Sequence, residues 1–335
     1  MTRLHAPFEP PIVDSLSIRV LVDSAYERFL PKASHDFCSI SHVGKIPGRQ
    51  MTTLACEWGL SLHLESISKG VNEQYLLDFG YTPEIISRNF ELLDIKPEKI
   101  SGLILSHAHR DHYGGMEGFI DKFRYQMRDD IRFFIGGHGV FRERWTGGAG
   151  GDMVSWGALD RTALTAQNVR PIACESPTNL GGAFTTGYIE RESFEIVTGG
   201  SMVLEEDVED HFSDQERKGQ LVKDTHPEEH ATCYVVNGRG LVVISSCGHT
   251  GIVNTINTAK AVTNVDKVHA VIGGFHLGTS TDEYIAHTVK AFKEFDPDVV
   301  LPMHCSGRKF IEAMQREMPE KLVTTNVGTK FTFGV

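Results

Sequence analysis

Several common signatures are missing from this 335-residue chain. No stretch is apolar over enough residues to span a bilayer, and the longest apolar runs, such as Leu241 to Ile244, have strand length. Met1 to Pro11 holds three prolines and no apolar core of a signal peptide, so the cytoplasm is the expected location and no membrane partner is expected. Cysteine is sparse: Cys38, Cys56, Cys174, Cys233, Cys247 and Cys305 never form a Cys-x-x-Cys pair, which speaks for reduced thiols rather than a disulfide framework. There is no G-x-S-x-G elbow for a serine nucleophile and no Walker lysine for a phosphate loop. Positive charge is in deficit, with a net charge of −11, which argues against a general nucleic-acid surface though not against a local basic pocket, and no nucleic-acid partner is expected. Low-complexity tracts and internal repeats are absent. What remains is a globular composition, 40% apolar and 23% charged, of a length that allows one large domain or two small ones.

Against that background one segment stands out. Ser106-His107-Ala108-His109-Arg110-Asp111-His112-Tyr113-Gly114 packs three histidines and an aspartate into six positions. It directly follows Ile100 to Leu105, an apolar run that reads as a buried strand. The chain has 16 histidines, so scattered pairs carry little weight, but this order after a strand does. In an extended segment His107 and His109 point the same way. Asp111 and His112 fall past the bend and face the same cavity from another side. Imidazole and carboxylate suit zinc and similar ions, and two ligand sets on one loop suit two neighbouring metal positions. Gly114 and Gly115 free the chain to turn into the next helix.

The flanking pattern is α/β. Strands are expected at Ile18 to Val22, Leu60 to Ser66, Gln74 to Leu77 and Ile131 to Ile135. Helices are expected at Thr82 to Leu93, with Thr82 as N-cap and Pro83 in the first turn, and at Gly115 to Phe123. Between Arg144 and Asp160 the glycine-rich run Thr146 to Asp152 reads as a flexible lid or surface loop. Leu204 to Lys218 reads as a solvated acidic stretch. Regularity returns with strands Cys233 to Val236 and Leu241 to Ser245 joined at Asn237-Gly238, then helix Gly251 to Val262, strand Val268 to Ile272, helix Asp282 to Phe295, strand Val299 to Leu301 and helix Lys309 to Met318. The two halves suggest two mixed sheets packed face to face with helices outside, an α/β four-layer αββα sandwich. Residues 1–335 then form one domain, with 139–225 as an insertion or lid region within it.

Three further histidine-bearing segments each follow an expected strand: Ser245 to Gly251, Ile272 to Leu277, and Pro302 to Gly307. Functional groups gather at the C-terminal ends of strands in such sheets, so these loops converge on the His107 loop.

The His107 loop resembles the signature of the metallo-β-lactamase superfamily. Cys56 to Ser61, Leu77 to Gly80, Gly187 to Arg191 with Phe194-Glu195, Cys247 to Asn254, Gly273 to Leu277 and His304 to Gly307 resemble the branch named for 7,8-dihydropterin-6-methyl-4-(β-D-ribofuranosyl)aminobenzene-5′-phosphate synthase, from about Ile18 to the end of the chain. This chain departs from that branch at Trp58, where histidine is usual, at Gly248, where serine is common, at Glu228-Glu229-His230-Ala231, and in the glycine-rich run, which implies a changed pocket wall.

The resemblance implies that His107 and His109 hold one metal and that Asp111, His112 and His304 hold a second. His249 is the choice for the third ligand of the first metal, with His226 and His230 as rivals. Cys247 is either a second-metal ligand or an inert buried thiol, His276 a substrate contact or an outer donor, and Asp78 the carboxylate that orients the histidine loop. Two zinc ions are expected, with iron or manganese open to the same donors. A metal-bound hydroxide would then attack a small-molecule ester, amide, phosphoester or displaceable group such as a halide, with Asp111 also taking a proton. The alternatives are a dihydropteroate-synthase-like transferase, in which an arylamine displaces diphosphate from a pterin diphosphate to form a C–N bond, and a metal sensor without turnover. Whether the chain forms a homo-oligomer is left open by the sequence.

Overall fold

Two large mixed sheets carry the chain. In the computed structural model, which describes residues 8–30, 32–148, 150–205 and 220–334, the first sheet has eight strands. Across the sheet they run Arg170–Ala173, Arg132–Ile135, Gly102–Leu105, Val71–Leu77, Ser61–Ser68, Ser15–Val22, Lys330–Phe333 and Ser39–Ser41. The second sheet runs Thr178–Asn179, Phe184–Thr185, Thr232–Val236, Gly240–Ser245, Val268–Gly273 and Val299–Pro302, with Ile12–Val13 also paired to Thr232–Val236.

The strand residues dictate this layering. Gly102–Leu105 and Val268–Gly273 are buried at every position, so both faces need cover. Ile104 and Leu77 share one core with Val242, Ile244, Ile272 and Leu301, and that core joins the two sheets. Their neighbours Leu76, Leu103 and Leu105 turn the other way, onto helices Pro83–Leu92 and Met116–Phe123 through Ile86, Phe90, Phe119 and Ile120. On the far side Val268, Val271 and Val300 pack under helices Ile252–Thr263, Asp282–Phe295 and Arg308–Glu317. Each fully buried Phe or Ile in these layers stabilises the fold by about 1.5–3 kcal/mol relative to exposure. The result is the expected four-layer αββα sandwich.

Register places the site. Leu77 lies opposite Ile104 and Leu105 opposite Ile135, in parallel pairs. In the second sheet Ser245 lies opposite Gly273, and Gly273 opposite Pro302, again in parallel. The loops that carry His107, His249, His276 and His304 therefore leave from the same ends of their strands.

Several local expectations need correction. Thr82 sits at the N-cap of Pro83–Leu92, yet its side chain does not cap the helix. Its hydroxyl donates instead to Glu57 at 2.7 Å. Gly114 and Gly115 serve close approach rather than turning. A Cβ on Gly115 would lie 2.2 Å from the Phe79 carbonyl oxygen, and one on Gly114 2.4 Å from that of Tyr81. The glycine-rich run lies at the surface between strands Arg144–Gly147 and Met153–Gly157, and these flanks, not foreseen as strands, join Met202–Leu204 and Leu221–Lys223 in a small separate sheet. From residue 206 onward the expected acidic stretch lies outside the described residues. The C-terminal strand Lys330–Phe333 was not expected, although its alternating burial matches a half-covered strand. No helix of the described residues is long and apolar enough to cross a membrane.

Candidate metal centre

The centre is built outward from one buried carboxylate. Asp78 ends strand Val71–Leu77 with a positive φ of 58° and is fully buried. One of its oxygens accepts the Ser106 amide at 2.8 Å; the other accepts the Ser106 hydroxyl at 2.8 Å and lies 2.8 Å from His112 Nδ1. The Ser106 hydroxyl, donating to Asp78, receives His107 Nδ1 at 3.0 Å. Both imidazoles thus carry their proton on Nδ1, and each Nε2 keeps its lone pair for the cavity.

His107, His109 and His249 form the first trio, with a ring nitrogen of each within 4.8 Å of the others. Every ring is held from behind. His249 Nδ1 lies 3.0 Å from the Thr198 carbonyl, and His109 Nε2 lies 2.9 Å from the Ser201 hydroxyl. Nε2 of His107 and of His249 is buried with no partner among the described residues. An orphaned buried nitrogen costs about 1–3 kcal/mol, and a cation held by these two nitrogens and His109 removes that cost.

Asp111, His112 and His304 form the second trio. His304 Nε2 is 3.4 Å from Asp111 Oδ2 and 3.2 Å from His112 Nε2, and His112 Nε2 is 3.8 Å from Asp111 Oδ2. Two imidazole nitrogens this close need a shared proton or a cation between them. Both trios therefore present donors of the kind that hold a metal ion, and the shared loop makes them neighbours.

The other sequence candidates divide. The Cys247 thiol lies within 4.8 Å of ligand atoms of His107 and His112, and in separate groups of His304 and Cys305 and of His249 and His276. Its sulfur is 3.2 Å from that of Cys305. His226 stacks on His249 at 4.2 Å and groups with His109 and Asp224. His230 has a different task, with Nε2 2.9 Å from the carbonyl of Leu105, the last residue of the strand before the loop. Asp78, His226, His276 and His304 all have positive φ, a conformation that costs non-glycine residues about 1–3 kcal/mol each and concentrates at functional sites.

Burial keeps these rings neutral. It drives His107, His109 and His226 well below the ordinary histidine range, with neighbouring imidazoles adding to the effect. Burial also lowers His249 to about 3 and His276 to about 4. Neutral imidazole is the form that binds metal. His304 differs: burial opposes its charge, but Cys305 and Asp111 outweigh burial and raise it to about 9. For Asp111 burial again opposes charge, and His112 with His304 holds the carboxyl far below the usual range. A cation at the second trio would replace the proton that His304 otherwise holds.

The comparisons with known proteins agree with this geometry. Residues 70–127, from the turn before strand Val71–Leu77 through the histidine loop and helix Met116–Phe123, match the family model for the metallo-beta-lactamase superfamily. Over those residues the chain is similar to the metallo-beta-lactamase superfamily. A 7,8-dihydropterin-6-methyl-4-(beta-D-ribofuranosyl)-aminobenzene-5'-phosphate synthase of Methanocaldococcus jannaschii is 29% identical over 88% of this chain and 100% of its own length. The uncharacterized protein MJ0448 of the same organism is 24% identical over 89% of this chain and 94% of its own. Among solved structures, Tm1679, a metal-dependent hydrolase of the beta-lactamase superfamily, superposes with a TM-score of 0.68 at 23% identity. That match covers 94% of this chain and 98% of Tm1679, and it shows a shared metallo-beta-lactamase fold.

Several residues that build this site carry no motif of their own. Glu229 accepts the amides of His249 at 2.9 Å and Thr250 at 2.7 Å, pinning the His249 loop. Asp23 accepts the His304 amide at 3.1 Å. Arg144, 2% exposed, pairs with Asp224 at 2.8 Å and with Glu228, tying the small sheet to the His226 segment. A strand ending in Asp23 and the Glu228-Glu229 pair were the available signals. Nothing local marks Ser201 or Thr198.

Proposed function

We propose that the protein is a metal-dependent hydrolase of small molecules, with a centre for two divalent ions. The observation that carries this reading is the pair of adjoining trios: His107-His109-His249, each ring held by a hydrogen bond, with Nε2 of His107 and of His249 unpartnered, and Asp111-His112-His304, whose inner donor atoms crowd within 3.8 Å of one another. In this reading His107, His109 and His249 hold the first ion, and Asp111, His112 and His304 the second. The Cys247 thiol lies within reach of both. Nitrogen, carboxylate and thiol donors suit zinc, and iron or manganese share most of the set. When bound, such ions supply Lewis acidity that brings the pKa of water to about 7 and polarises an ester, amide or phosphoester.

The chain's own residues orient and exclude. Asp78 and Ser106 fix the tautomers of His112 and His107, while Thr198 and Ser201 hold the rings of His249 and His109. Asp111 Oδ2, 3.4 Å from His304 Nε2, is placed to take a proton and pass it on. Metal analysis of native protein, beside a screen of chromogenic esters, phosphodiesters and lactones, tests the reading. Two metal equivalents and a turnover lost in His107→Ala and His304→Ala are expected. Unchanged metal content and activity in both variants would refute it.

A second reading rests on the synthase of Methanocaldococcus jannaschii, similar over 88% of this chain. In it the same residues serve a transfer in which an arylamine nitrogen displaces diphosphate from a pterin diphosphate, forming a C–N bond and releasing diphosphate and a proton. Incubation with such a pair decides: product supports the transferase, and no product beside good ester or phosphoester turnover rejects it.

A further inference from the structure

Two tryptophans stand at the metal centre without belonging to the core. Trp58, 54% exposed, places its ring 4.7 Å from that of His304. Trp156, half-buried, places its ring 5.1 Å from that of His109. Each trio thus has one histidine faced by an indole. The two rings come from distant parts of the chain, Trp58 from the segment before strand Ser61–Ser68 and Trp156 from strand Met153–Gly157 of the small sheet.

Both are braced. Beside Trp58, the Glu57 carboxylate accepts the amides of Tyr81 and Thr82 at 2.9 Å, and the Leu60 amide donates to the Asp111 carbonyl at 3.2 Å. The Trp156 indole N–H donates to the Tyr81 hydroxyl at 3.4 Å, and its carbonyl accepts from the Tyr113 hydroxyl at 3.4 Å. Tyr81 therefore links the supports of the two indoles. A tryptophan serving only to pack would bury its large apolar faces, whereas Trp58 leaves more than half of its surface exposed beside a histidine of the second trio. Such a face is suited to a ligand ring.

We infer that Trp58 and Trp156 select substrates whose reacting group is attached to a planar conjugated ring. This rests on the metal-centre reading and gives it a substrate class. An aryl or heteroaryl ring gains offset stacking on an indole face beyond the area it buries, while a saturated ring of similar size gains the area alone.

The test is calorimetric titration of the metal-containing protein with 2-naphthoate and with decahydro-2-naphthoate, metal content being measured on the same samples. Both acids offer the same carboxylate to the centre and differ in planarity. The wild type should prefer the aromatic acid by roughly tenfold. In Trp58→Leu and in Trp156→Leu the preference should shrink to about twofold, and Trp58→Phe should recover part of it. Because Trp58 is exposed, its variants will fold even if those at Trp156 do not. Equal affinities in the wild type, a preference unchanged by the leucine variants, or binding of neither acid would overturn the proposal. A preference kept by protein that holds no metal as purified and takes up none on titration with zinc would sink the metal-centre reading and leave aromatic recognition standing.

Discussion

Replacing Asp78 by asparagine isolates the role of the carboxylate at the root of the site. The residue has a φ of 58°, and asparagine tolerates that conformation, so the backbone is not at issue. The carboxylate accepts the Ser106 amide, the Ser106 hydroxyl and His112 Nδ1, all at 2.8 Å. An asparagine has one acceptor oxygen. If that oxygen keeps the Ser106 amide, its NH2 group faces the N–H of His112, and the charge-assisted bond is lost. Such a bond contributes about 1.5–3 kcal/mol. Loss of a carboxylate behind a ligating histidine weakens metal binding by roughly 10–100-fold, equivalent to about 1.4–2.8 kcal/mol. The two magnitudes agree, which is expected if His112 needs Asp78 to hold its tautomer. Competition against a graded chelator would show one ion weakened by that factor, with the second trio affected first. The His107 trio would follow to a smaller degree, through Ser106. Two ions retained at wild-type affinity would refute the reasoning, because His112 would then orient itself without its partner.

Other outcomes follow from the same geometry. His249→Ala should lose the first ion, whereas His230→Ala should keep both ions and lose about 1–3 kcal/mol of stability for the unpaired Leu105 carbonyl; metal analysis and urea unfolding separate the two. Arg144→Met leaves Asp224 and Glu228 buried without their cation and should cost about 3–5 kcal/mol in the same unfolding assay, so a loss below about 1 kcal/mol would contradict a structural role for the pair. His63, bonded to Gln74 within the first sheet, is lowered by burial to about 4. The unfolded chain therefore takes up its proton first as pH falls, and the stability this ring contributes is full above about 6.5 and declines until about 4. Between pH 7 and pH 5 wild type should lose about 2 kcal/mol more than His63→Gln; parallel stability curves would reject the assignment.

How much of this was legible beforehand differs from residue to residue. The all-apolar strands Ile100 to Leu105 and Val268 to Ile272 demanded cover on both faces, and the alternation of strands and helices pointed to two sheets with helices outside. The C-terminal strand Lys330–Phe333 was missed because its four residues gain their meaning only by pairing with Ser15–Val22, more than 300 positions earlier. The glycine-rich run looked like a lid because glycine signals freedom. In the structure its flanks are strands, held in a sheet whose other members come from residues 202–204 and 221–223.

By itself the sequence determined the local chemistry: His-x-His on an extended segment, Asp-His on the helical turn after it, and further histidines behind three strands. Spacing over a few residues is fixed by backbone geometry, so it can be read from the order of residues. Only the tertiary structure decided which of the later histidines meets the loop. His249 joins His107 and His109, His226 stacks behind it, and His230 turns to the backbone of Leu105. It also decided that Trp58 and Trp156 come to opposite trios. Those outcomes depend on the direction of side chains delivered by loops far apart in the chain. Parallel register and packing of the two sheets set that direction, and no local pattern encodes it.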